Sequence, residues 1–295
     1  MKILLATDGS QYSEAAARFL TKFKFTPDDE IHIIHVISWV PILHEWESLV
    51  ADFETIREKV VPKILDSASD IVKPTGAKIN TSFTEGHADK AIVDAVEETG
   101  ADLVVMGAKG DKGLVTHLIG SVTKLVALNS PKPVLIVKHP HEETPGKFKV
   151  LFPTDGSDHS VSIGKFLSSM PFPDNTELFL LSVIFSALSD IPERFSIEID
   201  ERIKNIVAST RESEFNESDS VLKAAFDNLH QRFSSIEKIT KFGDPPAEII
   251  NAAEELNADL IVVGTRGMRG IKGVIGSVSR YILNHSKYSV LIGKT

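Results

Sequence analysis

Short apolar runs alternate with amphipathic stretches along the whole chain. Residues 2–7 form an apolar run that stops at Asp8-Gly9-Ser10, which predicts a strand followed by a turn or a helix cap. Ala16, Phe19, Leu20 and Phe23 recur at helical spacing and predict a helix over 13–23. Residues 31–37 are β-branched and read as a buried strand. A helical pattern fills 45–72, with Pro62 predicting a break or a fresh start. Residues 77–83 alternate as a strand, and Ile92, Val93 and Val96 place a helix over 88–98. A near-continuous apolar strand over 102–106 ends at Gly107; a helix over 121–128 and a last apolar strand over 134–137 follow. The order βαβαβαβαβ, with strands apolar on both faces, predicts an α/β fold with a parallel sheet covered on both sides.

The whole pattern is then written a second time. Residues 1–10 recur as 148–157, with Thr7-Asp8-Gly9-Ser10 matched by Thr154-Asp155-Gly156-Ser157. Residues 86–110 recur as 243–267 with 11 of 25 positions identical, and Gly120-Ser121-Val122 recurs as Gly276-Ser277-Val278. The second copy gains ten residues within the polar, helical stretch 193–230 and loses one between Gly267 and Gly276. Each copy is long enough for its own core, so the expected organisation is domain 1 over 1–140, a polar Pro/Gly linker over 141–147, and domain 2 over 148–295.

Composition narrows the chemistry. Of 295 residues, 42% are hydrophobic and 25% charged, which fits a globular chain and not a disordered, collagen-like or coiled-coil one. The net charge of -9 argues against general nucleic-acid or anionic-membrane binding, because phosphate neutralisation needs clustered Lys and Arg. With no cysteine, disulfides, thiolate nucleophiles, zinc–thiolate sites and iron–sulfur clusters are excluded. The greasiest stretch, 31–43, is too short and polar to span a bilayer, and the N-terminal apolar run is too short for a signal-peptide core. The expected location is the cytoplasm, with no membrane partner.

Candidate chemistry gathers at two strand ends in each copy. In open parallel sheets, ligands bind beyond the carboxyl ends of the strands, where the strand order reverses. The first strand ends at Thr7-Asp8 (Thr154-Asp155 in the second copy). The fourth runs into Gly107-Ala108-Lys109-Gly110, then nine residues, then Gly120-Ser121. Glycines at 107 and 110 are expected to turn with positive φ and let the backbone approach a ligand. The helix opening at Gly120-Ser121 offers unpaired N–H groups and a favourable dipole to an anion. The Ser121 hydroxyl has two roles open to it, a phosphate contact or the cap of its own helix. Lys109 and Lys112, and Arg266, Arg269 and Lys272 in the second copy, add positive charge beside the same loop. Asp8 and Asp155 read either as sugar-hydroxyl acceptors or as ordinary turn residues. Together these features outline a nucleotide site, acid for the ribose and glycine loop for the phosphates.

The pattern resembles the universal stress protein family over nearly the whole chain, as two tandem domains. The resemblance rests on Thr7-Asp8-Gly9-Ser10, on the 101–107 strand, and on the Gly107/Gly110/Gly120-Ser121 series, which is similar to the G-2x-G-9x-G-[ST] motif of the ATP-binding branch. It implies two Rossmann-like domains, each a five-stranded parallel sheet of order 3-2-1-4-5 with helices on both faces. It implies that Asp8 meets the ribose, that the Val36 backbone meets the adenine, that Gly107 borders the ribose, and that Gly110, Gly120, Ser121 and Val122 hold the phosphates, with Thr7, Met106 and Lys109 beside them. In the second copy the same resemblance points to Thr154, Asp155, Val183, Val263, Gly264, Arg266, Gly267, Gly276, Ser277 and Val278. The second loop departs from the motif, with eight residues instead of nine, which puts its phosphate cradle in doubt. The implied ligand is ATP, with ADP and AMP as alternatives, and Mg²⁺ arrives with the nucleotide.

No P-loop, metal cage or nucleophile triad occurs in the sequence. His117, in the first loop, has no counterpart in the second; His32 and His35 read as core or interface residues, and His139 and His141 as linker residues. No catalytic residue is assigned, and at most a weak ATPase is expected. The leading expectation is a regulatory nucleotide-binding protein of the stress response, acting on a protein partner the sequence does not name. The alternatives are a nucleotide-independent dimerisation or scaffold module and a slow ATPase. The apolar last strands, 134–137 and 290–292, are expected to pair with each other as an intramolecular pseudo-dimer, with a homodimer as a further expectation.

Overall fold

Ile3, Leu4 and Leu5 of the first strand are all at most 1% exposed, so this strand is covered on both faces, as its unbroken apolar run requires. The computed structural model describes residues 1–38, 47–110, 119–138, 146–186, 201–265 and 276–294, with backbone alone over 47–56. Two units emerge. Unit 1 comprises Met1–Gly146, Met170–Pro173 and Lys287–Lys294, and unit 2 comprises Lys147–Ser169 and Asp174–Ser286.

The elements of the first copy are β1 (Lys2–Thr7), α1 (Gln11–Leu20), β2 (Glu30–Ser38), α2 (Glu47–Val72), β3 (Lys78–Gly86), α3 (Ala88–Thr99), β4 (Leu103–Gly107), α4 (Ser121–Asn129) and β5 (Val134–Val137). Those of the second are β6 (Lys149–Pro153), α5 (Asp158–Ser169), β7 (Glu177–Ile184), α6 (Glu201–Leu229), β8 (Ser235–Phe242), α7 (Pro245–Leu256), β9 (Leu260–Gly264), α8 (Ser277–His285) and β10 (Ser289–Gly293). Strands and helices alternate in both, as the hydrophobic pattern predicts.

In unit 1 the strands run β3-β2-β1-β4-β5, all parallel. This is the 3-2-1-4-5 order, and it makes β1 and β4 neighbours at the switch point. The chain's last strand, β10, joins the same unit by pairing antiparallel with β5 (Leu291↔Leu135). The expected pairing of the two last strands is therefore present. In unit 2 the order is β9-β6-β7-β8, parallel throughout, which repeats the 4-1-2-3 part of the same order.

Pro62 neither breaks nor restarts a helix: α2 runs through it from Glu47 to Val72. Val61, Leu65, Ala68 and Val72 lie buried one turn after another along the same stripe, and that packing outweighs the lost hydrogen bond. Of the ten residues gained in 193–230, the portion from 201 belongs to the 29-residue helix α6; residues 193–200 lie outside the described ones. Among the described residues, no helix is long and apolar enough to cross a membrane.

Candidate functional site

The β1–β4 ladder, Ile3↔Leu103 through Ala6↔Met106, carries both strands to a common edge. Just beyond that edge, Thr7-Asp8-Gly9 turns away toward α1. The turn depends on Gly9, whose φ of +76° suits glycine and whose Cβ would stand only 3.1 Å from Ile64. Thr7 is buried, and its Oγ1 donates to Ser13 Oγ (3.1 Å) while accepting the Gly9 N–H (3.3 Å). Asp8 is exposed; its Oδ1 accepts the Ser10 N–H at 3.0 Å, and its Oδ2 accepts no hydrogen bond among the described residues.

The glycine series lies against these residues for a reason different from the expected one. Neither Gly107 nor Gly110 has positive φ. What they provide is space. A Cβ on Gly107 would stand 2.6 Å from the carbonyl carbon of Tyr12, at the start of α1, and a Cβ on Gly110 would run into Asp8 Oδ2. The two strand ends therefore form one mouth, in which the carboxylate of Asp8 faces the backbone of Gly110.

The far end of the loop is clipped back to its start. Gly120 N–H donates to Ala108 O (2.8 Å), and Thr123 Oγ1 donates to Gly107 O (3.0 Å). Gly120 is the N-cap of α4 and has no side chain to close the helix, in contrast to α1, where Ser10 Oγ accepts the Ser13 N–H. Ser121 is the first helical residue, so its hydroxyl does not cap α4; it is exposed and makes no hydrogen bond among the described residues. Val122 is half-buried. The opening turn of α4 thus presents main-chain N–H groups and one hydroxyl at the mouth.

On the other flank, the β1–β2 ladder ends at Thr7↔His35, yet β2 continues to Ser38. Val36 therefore has a backbone edge no longer covered by β1. His35 Nδ1 lies 2.9 Å from Thr7 O, which ties the two strand ends together. His32 Nε2 meets Ser82 Oγ at 2.7 Å; burial lowers its pKa and the nearby Glu30 raises it, with burial the larger effect. Both histidines serve strand packing.

Met106 is buried beneath the mouth. Lys109 is 7% exposed, with its ammonium 5.8 Å from the Tyr12 ring centroid. Lys138, directly after β5, escaped notice in the sequence. It is equally buried, and burial followed by the charge of Lys109 pushes its pKa down to about 7. A lysine after an apolar strand looks like a solvated end; only the packing shows otherwise. Lys112 and His117 lie outside the described residues.

Unit 2 repeats much of this. Gly156 turns with φ +74° after Asp155, Thr154 is buried, Gly276 N–H donates to Thr265 O (2.7 Å), and Ser279 Oγ donates to Gly264 O. Gly276 caps α8 without a side chain, leaving Ser277 exposed and Val278 half-buried. Val263 is buried, and Val183 is half-buried near the end of β7. Arg266, Gly267, Arg269 and Lys272 lie outside the described residues. No group of three or more metal-ligating side chains occurs among the described residues.

Comparison with known proteins places this geometry in context. The family model described as "Universal stress protein family" matches residues 1–138 and again 148–294. A universal stress protein of Methanocaldococcus jannaschii is 33% identical over 147 residues, 48% of this chain and 84% of that protein. A universal stress protein of Mycolicibacterium smegmatis is 22% identical over 302 residues, 98% of this chain and 96% of that protein. The crystal structure of a universal stress protein from Archaeoglobus fulgidus aligns over 99% of this chain and 98% of its own, with a TM-score of 0.66 at 23% identity, a likeness of fold.

Proposed function

The chain belongs to the universal stress protein family, in a tandem two-domain arrangement, and from that premise we propose that it binds an adenine nucleotide, ATP, as a regulatory ligand. One observation carries the reading: Asp8 Oδ2, which accepts no hydrogen bond among the described residues, faces the backbone of Gly110, at the mouth onto which α4 opens uncapped. A carboxylate suits ribose hydroxyls, which donate to it, and main-chain N–H groups at a helix start suit phosphate oxygens. The fit depends on the missing side chains, since a Cβ at Gly110 would take up the space the ligand's backbone contacts need.

In this reading Asp8 orients the ribose, the uncovered edge at Val36 meets the base, and Gly110, Gly120, Ser121 and Val122 hold the phosphates. Met106, Gly107 and Thr7 form the floor. Mg²⁺ neutralises phosphate charge and enters with the nucleotide. Occupancy itself is the signal, read by a protein partner.

Equilibrium dialysis of the full chain with Mg·ATP tests this. Gly120→Val is expected to lower affinity at least tenfold. A Cβ there meets only ordinary contacts at 3.5 Å within the protein, and a thermal midpoint close to that of the unaltered chain shows that the variant is folded. Unchanged affinity in folded Gly120→Val would contradict the reading. A second reading, a nucleotide-independent pairing module, is favoured by the β5–β10 ladder, which joins segments from the two copies. Dimer or partner binding that is indifferent to ATP is the outcome that selects it.

A further inference from the structure

We propose that Lys138 is a modification site for carbon dioxide: its amine takes up CO₂ as a carbamate, and the carbamate pairs with the ammonium of Lys109. No nucleotide enters this chemistry, so it stands or falls apart from the reading above.

The fold brings the two lysines together. Gly107 and Val137 are paired at the ends of the neighbouring strands β4 and β5, and Ala108 N–H donates to Val137 O at 2.8 Å. Lys109 and Lys138 follow Ala108 and Val137 directly. Neither leads out into solvent: Lys109 is 7% exposed and Lys138 6%. Lys109 extends toward Tyr12 at the start of α1, and its ammonium acts on Lys138 as a neighbouring like charge. Met106, Ala108 and Val137, at the same strand ends, are buried as well.

Two ammonium groups withdrawn from water side by side carry a desolvation cost and a mutual repulsion. Giving up one proton relieves both, and Lys138, its pKa pushed down to about 7, is the residue that gives it up. A buried amine next to a second cation is the setting that makes a lysine nucleophilic at neutral pH. The matching residue of the second copy shows that the surroundings decide this. Lys294, directly after β10, is only half-buried and donates to Leu128 O at 3.0 Å.

Enclosure and charge together select the electrophile. Burial admits only a small molecule to the nitrogen. An acylating agent would leave a neutral amide beside Lys109, and a protonated imine would restore the second positive charge. With CO₂ the repulsion is replaced by an ion pair. The nitrogen lone pair forms a bond to the carbon of CO₂, one C=O electron pair moves onto oxygen, and an N–H proton leaves to solvent. Nothing is oxidised or reduced. The product is an anion beside the Lys109 ammonium, and their attraction is strengthened by the low dielectric of the buried site.

Carbon NMR of the full chain in isotopically labelled bicarbonate at neutral pH tests the proposal, with the carbamate then trapped by an alkyl oxonium reagent and located by peptide mapping. The expected result is a carbamate on Lys138 and none on Lys294. The signal is lost in Lys138→Met. In Lys109→Met it falls about tenfold, the equivalent of roughly one unit in the amine's pKa. Thermal midpoints no lower than that of the unaltered chain show that the variants are folded. The unaltered chain is by itself decisive: no carbamate on the Lys138 peptide, or carbamate at the N-terminal amine alone, overturns the proposal. So does an undiminished yield in folded Lys109→Met.

Discussion

Lys138 shows how much of this protein is decided by the surroundings of single residues. Its ammonium is buried beside that of Lys109, and its pKa is pushed down to about 7 from the ordinary 10.5. Unfolding returns it to the ordinary value. Between pH 7 and 10.5 the unfolded chain thus binds the proton that the folded chain lacks, and stability rises with pH across that window. Replacing the side chain by an uncharged one of similar length removes the effect. Lys138→Met is expected to stabilise the fold by a few kcal/mol at pH 7 (on the order of the shift, at about 1.4 kcal/mol per pH unit). The gain shrinks toward zero near pH 10, as read by urea unfolding at both pH values. A gain that is constant with pH would show that Lys138 is charged in the folded state. The glycines teach the same lesson. Their positions were legible in the sequence, but their reason was not: the positive φ falls at Gly9 and Gly156, while Gly107 and Gly110 are needed for close approach. Spacing alone does not distinguish a backbone that must turn from one that must be bare.

Between elements, the tightest constraint is the contact of the end of β4 with the start of α1. Gly107→Ala would set a Cβ 2.6 Å from the Tyr12 carbonyl carbon and 2.9 Å from the Ser13 nitrogen, both backbone atoms that move only if α1 moves. The expected cost is about 1–3 kcal/mol of unfolding free energy, the usual penalty for overpacking. ATP affinity falls with it, because Asp8 lies on the turn into α1. Equilibrium unfolding and dialysis on the same variant check both halves, and an unperturbed protein would mean that β4 and α1 are not held as described. Helix and strand types were readable from periodicity throughout. Pro62 was the exception, because the packing that carries α2 across it is tertiary and leaves no local mark.

At the scale of the molecule, the duplication pointed to the strand ends that form the mouth, since the same strand ends carry the same residues twice, and the strand order came only from the family resemblance. The state of each mouth was not accessible. Asp8 and Asp155 are identical letters, yet Ser10 gives Asp8 its N–H alone while Ser157 gives Asp155 both its N–H and its hydroxyl. Nor does the sequence say that β10 completes unit 1, because membership depends on which edge an apolar strand finds. The account stands on phosphate held by main-chain amides at the mouth of unit 1, and amide hydrogen exchange with and without Mg·ATP observes those amides directly. ATP is expected to slow exchange in peptides covering 7–10, 107–110 and 119–123. Exchange in those peptides that is the same with saturating ATP as without it would contradict the account.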